Sequence, residues 1–252
     1  YAPCSEGCPI HQDIPQYIAL TGEGKYKEAL EVILEKNALP FITGTLCAHN
    51  CMTKCTRNFY EESVNIRGTK LIAAQKGYEE LAAAEEKEAK EIESQIKKLL
   101  ETSDVTPSPG GFIWPVSTSK IITSPMGGRV SPGGIGSTNH RGVDIGGVGT
   151  TSAVMATKSG KVVLTRVVVY GSYGGSGYGN YVVVDHGGGY TTLYAHMTSI
   201  SVSEGQMVAQ GDTLGITGST GNSTGPHLHY EVMIKGVNQN PLDYLPGYIA
   251  RW

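Results

Sequence analysis

The chain has 252 residues, with 20 Lys and Arg against 23 Asp and Glu, a formal net charge of −3 and 39% hydrophobic residues. No basic stripe marks a nucleic-acid surface, and no apolar run approaches the roughly 18 residues a membrane span needs. Composition divides the chain: only six of the 34 Gly precede residue 105, whereas all five Cys precede residue 56, so two unlike domains are expected. The chain opens at Tyr1 rather than Met, which predicts a trimmed or processed product.

In the first 70 residues Cys4 and Cys8 stand three residues apart with Pro9 following, and Cys47, Cys51 and Cys55 repeat the same spacing further on. An amphipathic helix over about residues 14–35 separates the two groups. Four thiolates converging from two loops can hold an iron–sulfur cluster or zinc. Disulfides are disfavoured by the odd count, while structural zinc and unliganded buried thiols stay open. So small a segment with few large apolar side chains makes a marginal core unless a metal or cluster staples it.

Residues 71–101 are rich in Ala, Glu and Lys, contain no Pro and only one Gly, and predict a helix. Apolar residues near a 3.5-residue spacing (Leu71, Ala74, Tyr78, Leu81) give way to polar Glu85 and Glu88 before Ile92 and Leu99 resume the pattern. Two readings follow: a partial coiled-coil stalk with self-association through this helix, or a solvated connecting helix. The Pro- and Gly-bearing run over 102–111 reads as a linker.

Beyond it, short β-branched and aromatic runs alternate with glycine turns, at 161–170, 181–185, 191–196 and 228–234, which predicts an all-antiparallel β-sheet domain with a groove along one face. The glycine clusters at 170–179 and 187–189 read as hairpin loops or groove walls. The expected architecture is α+β multidomain: a small all-α cysteine-bearing domain over 1–70, a helical stalk and linker over 71–104, and an all-β domain over 105–252 that folds alone.

Five metal-type side chains form an ordered array in the last part: His140 and Asp144 in H-R-G-V-D, His196 in Y-A-H-M, and His227 with His229 in H-L-H. The last pair is expected to share a cleft where a strand end or twist turns both side chains into it. A catalytic zinc takes three protein ligands and keeps a fourth position for water, so five candidates leave two histidines for proton transfer and oxyanion stabilisation. His186, alone after a strand, reads as an ordinary turn histidine. Asn222, Ser223 and Thr224 are expected to set the loop that leads into H-L-H.

The stretches F-I-W-P-V, I-T-S-P-M-G-G-R-V, H-R-G-V-D-I, Y-T-T-L-Y-A-H-M and G-N-S-T-G-P-H-L-H-Y-E-V resemble the catalytic domain of the lysostaphin-like (LytM-type) zinc metalloendopeptidases of bacterial peptidoglycan, over about residues 112–245. The resemblance implies zinc on His140, Asp144 and His229, catalytic roles for His196 and His227, peptidoglycan as substrate and an extracytoplasmic site of action. With all five present, an active hydrolase is favoured over a catalytically silent cell-wall binder or amidase activator. Some members place an oxyanion-donating Tyr before the first ligand; none lies between Phe112 and His140, which leaves that duty to the histidines.

Residues 3–75, through C-S-E-G-C-P-I-H, G-T-L-C-A-H-N-C-M-T-K-C and V-N-I-R-G, are similar to the amino-terminal iron–sulfur domain of glutamate synthase small subunits and dihydropyrimidine dehydrogenases. That resemblance implies one 4Fe-4S cluster on Cys8, Cys47, Cys51 and Cys55, with Cys4 left over from a second. It also implies a cytosolic origin, at odds with the other half. No G-x-G-x-x-G follows a strand, so the flavin and nicotinamide domains of those enzymes have no counterpart. The chain reads as a fusion, natural or engineered, joined near residues 68–80, with its first half a structural passenger.

Overall fold

The computed structural model describes residues 2–37, 39–128, 138–168 and 177–252. Among the described residues the chain divides into two compact units, one up to Ala84 and one from Glu85 onward.

The first unit is helical: α1 (Pro3–Glu6), α2 (Ile14–Gly22), α3 (Tyr26–Leu34), α4 (Pro40–Leu46), α5 (Asn50–Thr53) and the start of α6 (Ile66–Glu101). Asp13 caps α2 by accepting from the Gln16 N–H, with a proline in the first turn. Ile14, Tyr17, Ala29 and Ile33 meet Ile66 and Ala73 of α6, with Cys8 and Cys51 completing the same small core. The single glycine of α6 has a packing cause. A Cβ on Gly77 would lie 2.3 Å from the Tyr26 carbonyl oxygen, so only glycine lets α6 lie this close to the start of α3.

The second unit is mostly β. Its strands are β1 (Ile121–Ser124), β2 (Gly127–Gly128), β3 (Asn139–His140), β4 (Val143–Gly146), β5 (Ala153–Met155), β6 (Gly160–Arg166) and β7 (Asn180–Asp185). They continue with β8 (Tyr190–Met197), β9 (Ser199–Ile200), β10 (Met207–Val208), β11 (Thr213–Ile216), β12 (Leu228–Ile234), β13 (Val237–Gln239) and β14 (Ile249–Ala250). The main sheet runs β10-β6-β7-β8-β12-β4-β1-β14, with β13 on β12, and a smaller sheet is formed by β5, β11 and β9. The all-antiparallel expectation fails at one edge, because β14 pairs with β1 in parallel. After the turn Pro241–Asp243 the chain crosses to the far edge, where the Trp114 indole N–H donates to the Pro246 carbonyl at 2.7 Å. Most of the 170–179 glycine cluster lies outside the described residues.

Strand alternation sorts the main sheet into two apolar faces. On one, Val143, Ile145, Val182, Val184, Tyr194, Leu228, Tyr230 and Val232 join Trp114, Val154 and Leu214. On the other, Tyr181, Val183, Leu193, Ala195 and Met233 pack against Ile92 and Ile96 of α6. Because both faces are covered, β7 is buried along its whole length. Here the sequence-based boundary at residue 105 moves. The second unit begins at Glu85, inside α6, because Ile92 and Ile96 are core residues of the β domain. Leu81 and Ala74 are likewise buried within the first unit. Of the apolar positions that would form a coiled-coil seam, Ala74, Leu81 and Ile92 are thus buried inside the chain, whereas Leu99 is exposed.

His186 is buried, not an exposed turn residue. Its Nδ1–H donates to the Ser159 carbonyl at 3.0 Å and its Nε2 lies 2.8 Å from the Thr192 hydroxyl. From there hydroxyl contacts continue through Tyr194 and Thr157 to Tyr230. Burial outweighs the carbonyl bond and the nearby Asp185 and brings the pKa of His186 down to about 4.

Candidate active site and cysteine cluster

Register builds the site. β12 pairs with β4 so that His229 faces Asp144 directly and Leu228 faces Ile145. Leu228 and Ile145 enter the core, which leaves the other pair on the opposite face. The H-x-H pair therefore needs no special twist: side chains two apart on a strand share a face. His227 sits just before β12, bridged to Gly218, and flanks Leu228 on the same side as His229. His140 arrives from β3. Between it and Asp144, a Cβ on Gly142 would lie 2.2 Å from the Tyr230 carbonyl oxygen, so glycine alone lets this turn press against β12.

His140 Nε2 lies 3.1 Å from Asp144 Oδ1 and 3.0 Å from His229 Nδ1, and His229 Nδ1 lies 3.0 Å from Asp144 Oδ1. All three residues are buried. The remaining nitrogen of each ring has a fixed partner: His140 Nδ1 at 2.8 Å from the Pro125 carbonyl, His229 Nε2 at 2.9 Å from Glu231 Oε1. With their protons placed there, the two rings turn lone pairs toward the carboxylate oxygen. Donors at zinc–ligand distances in a tetrahedral shell are about 3.3 Å apart, so this set fits such an ion with little adjustment.

Electrostatics agree with that fit. Burial opposes ionisation of Asp144, yet when protons rather than a metal ion occupy the inward nitrogens, the hydrogen bonds from His140 and His229 hold its carboxyl well below the usual range. Burial likewise disfavours a charged imidazole at His229, but Asp144 and Glu231 prevail and raise its pKa to about 9. The pocket favours positive charge at its centre.

His196 reaches the site by a backbone departure. On a regular strand it would follow Tyr194 into the far core, but its φ of 62° turns the side chain toward His227 and His229. A non-glycine residue in this region costs about 1–3 kcal/mol and marks functional sites. Its Nδ1–H donates to the Thr220 carbonyl at 2.7 Å, while His227 Nδ1 lies 2.8 Å from the Gly225 carbonyl and 3.2 Å from the Ser223 hydroxyl. The His196 and His227 ring centroids are 4.7 Å apart, and His227 Nε2 is 3.5 Å from Asp144 Oδ1. Burial, then the neighbouring His227 and His229, keep the His196 pKa well below its ordinary value.

Sequence reasoning missed the outer layer. Glu231 accepts from His229, from the Tyr178 hydroxyl at 2.6 Å and, on its other oxygen, from Asn238 at 2.7 Å. The signal was present: Glu231 stands two residues after His229 and shares its face. Tyr178 has no such signature. Arg141, beside His140, is held by Glu86 at 3.0 Å and by Glu93, and Asn222 donates to Glu85 at 2.5 Å. The last part of α6 thus braces the turns that carry the site.

In the first unit Cys8 and Cys51 are buried, Cys4, Cys47 and Cys55 are half-buried, and all five are free thiols. Tyr17 is raised far above its ordinary pKa by burial and then by Cys51, Cys8, Cys4 and Cys47, and it shares a core with Cys8, Cys51 and Cys4. The backbone N–H of His49, a residue at φ 48°, points to Cys47 Sγ at 3.4 Å. Thiols from two loops with an amide hydrogen bond to sulfur suit an iron–sulfur cluster.

Two buried imidazoles and a carboxylate converging on the face of a β-sheet, with two further histidines alongside, define a metallohydrolase type of centre. Residues 138–241 match the profile of peptidase family M23. Residues 1–81 match the profile of dihydropyrimidine dehydrogenase domain II, 4Fe-4S cluster, so two unrelated domains are fused in one chain. The chain is 52% identical over 79 residues to YgfK, a proposed oxidoreductase of Escherichia coli strain K12, covering 31% of this chain. It is 41% identical over 113 residues (44% of this chain) to the peptidoglycan DD-endopeptidase ShyA of Vibrio cholerae. It is 40% identical over 143 residues (56% of this chain) to the DD-carboxypeptidase/endopeptidase Mpg of Neisseria meningitidis. These alignments span 8%, 23% and 31% of the three relatives' lengths. No described helix is long and apolar enough to cross a membrane.

Proposed function

We propose that this protein is a zinc-dependent endopeptidase that hydrolyses peptide stems or cross-bridges of bacterial peptidoglycan, acting outside the cytoplasm. The observation that carries this is the meeting of His140 Nε2, His229 Nδ1 and Asp144 Oδ1 at 3.0–3.1 Å. These three residues would hold the metal. A bound zinc ion supplies Lewis acidity, lowering the pKa of water to about 7 and polarising a carbonyl.

The other residues handle protons and position. His196, uncharged and hydrogen-bonded through Nδ1, offers its Nε2 lone pair to take a proton from the attacking water and return it to the leaving amine. His227, whose Nδ1–H donates to the Gly225 carbonyl, turns Nε2 toward the same space and, when that nitrogen also carries a proton, donates it to the oxyanion. Glu231, fixed by Tyr178 and Asn238, orients His229 and strengthens it as a ligand. A glycosidase would need paired carboxylates across a sugar cleft, and this site has none to spare beside Asp144 and Glu231.

The test is digestion of purified peptidoglycan by the full chain. New amino groups without new reducing ends, abolished by a chelator and restored by zinc, are the expected result, and His196→Ala keeps zinc while turnover falls by about 10²–10⁴. Reducing ends without amino groups would overturn the substrate bond. Loss of zinc from His196→Ala would overturn the division of roles.

For the first unit we propose one 4Fe-4S cluster on Cys8, Cys47 and Cys51, with Cys55 as the fourth ligand and Cys4 the alternative. Iron per chain in Cys55→Ser and Cys4→Ser decides between them. With respect to hydrolysis this unit is a passenger.

A further inference from the structure

The cysteine core contains a cation that no carboxylate balances. Lys70, on the second turn of α6 between Ile66 and Ala73 of the same core, is only 6% exposed. Its ammonium meets the Gln12 side-chain oxygen at 3.4 Å, and among the described residues no carboxylate pairs with it. Gln12 is itself 1% exposed and spends its amide N–H on the Ile33 carbonyl, so it offers a dipole and no charge. Burying an ammonium in this way costs several kcal/mol unless a negative charge compensates it. The groups that could supply that charge are sulfurs: Ile66 and Ala73, which flank Lys70 on the same side of α6, pack in one core with Cys8 and Cys51.

We propose that Lys70 is the buried counter-charge of the cysteine-held centre and sets its reduction potential. This rests on the iron–sulfur reading of the first unit. A thiolate-ligated cluster carries net negative charge, and one-electron reduction adds one more. A fixed cation beside Cys51 therefore favours the reduced state, and a neutral residue in its place shifts the couple to more negative potential. The other cations near the cysteines are open to solvent: Lys54, between Cys51 and Cys55, is exposed. Arg67, the other nearby cation of α6, spends its guanidinium on the Cys47 carbonyl and His49 at 3.4 and 3.5 Å and is half-buried, open to solvent screening.

The experiment uses the full chain reconstituted anaerobically with ferrous iron and sulfide, then titrated with dithionite while the reduced cluster is followed by electron paramagnetic resonance. Lys70→Met and Lys70→Gln are expected to lower the potential by at least a tenfold change in the reduction equilibrium, about 59 mV for one electron. Lys70→Arg, which keeps the charge, is expected to stay near the unaltered chain. If the neutral variants remain helical but no longer hold iron while Lys70→Arg does, the charge requirement is met in a stronger form. Equal potentials in all four proteins overturn the inference and leave the cluster standing. An unaltered chain that stays colourless after reconstitution overturns the cluster reading itself.

Discussion

The two candidate metal centres of this chain are built on opposite plans. In the β domain the ligands come from paired strands, where register brings Asp144 opposite His229 before any ion is considered. In the helical unit the cysteines come from short turns around α1 and α5, and the core they join holds few large side chains. The first site is set by strand register, and its scaffold is expected to persist without an ion. The second is expected to contribute to the stability of its own scaffold, as a cofactor staple does in small domains.

The contrast is most exposed to ligand replacement. His229→Ala or Asp144→Ala is expected to abolish zinc binding and hydrolysis, with activity down at least about 10³-fold, while the fold persists by circular dichroism and metal analysis. Cys8→Ser or Cys51→Ser should do the reverse, unfolding residues up to about 84 in hydrogen exchange while hydrolysis stays within twofold. A large loss of hydrolysis in either cysteine variant, with zinc still bound, would end the passenger reading.

Second in size is the boundary. A chain starting at residue 105 lacks Ile92 and Ile96, each worth roughly 2–5 kcal/mol of core. That is most of the stability of a small domain. Such a chain is expected to aggregate, whereas one starting at residue 85 folds and binds zinc. Equal melting temperatures would show that the helix is not part of the β core.

Third, His186 makes the β domain sensitive to acid. Its folded pKa of about 4 lies below the unfolded value near 6.5, so the unfolded chain binds the extra proton between these values. The contribution is complete above pH 6.5, declines as pH falls to about 4 and is level below that, about 3 kcal/mol in all. His186→Gln should flatten this part of a denaturant-titrated stability profile. An unchanged slope would assign acid sensitivity to other groups.

The smallest expected effect sharpens the comparison. Glu231→Gln keeps size and hydrogen bonding but weakens the hold on His229, and zinc affinity should drop about 10–100-fold in competition with a fluorescent chelator. No change would mean that strand register alone positions the ligand.

Much of the β-domain site was legible in the sequence because H-x-H, H-R-G-V-D and Y-A-H-M are each local signals. Glu231 was legible in principle, since a period of two carries it to the face of His229. The left-handed turn at His196 was not, because a non-glycine residue at positive φ leaves no compositional mark. Nor was the role of α6. Ile92 read as the resumption of a broken heptad and Ile96 was not singled out, because their partners, Val183, Leu193 and Met233, come from strands about a hundred residues away. In the cysteine unit the repeated spacing predicts that thiols converge. Which of Cys4 and Cys55 completes a set depends on how two turns approach, which spacing does not encode.

The backbone at His196 also bears on how the site can change. Glycine would occupy φ 62° without strain, so among substitutions that delete the imidazole, His196→Gly should leave a more stable protein than His196→Ala, by about 1 kcal/mol. A lineage released from the need to hydrolyse would therefore lose less stability at this position through glycine than through alanine, while the zinc ligands stayed in place.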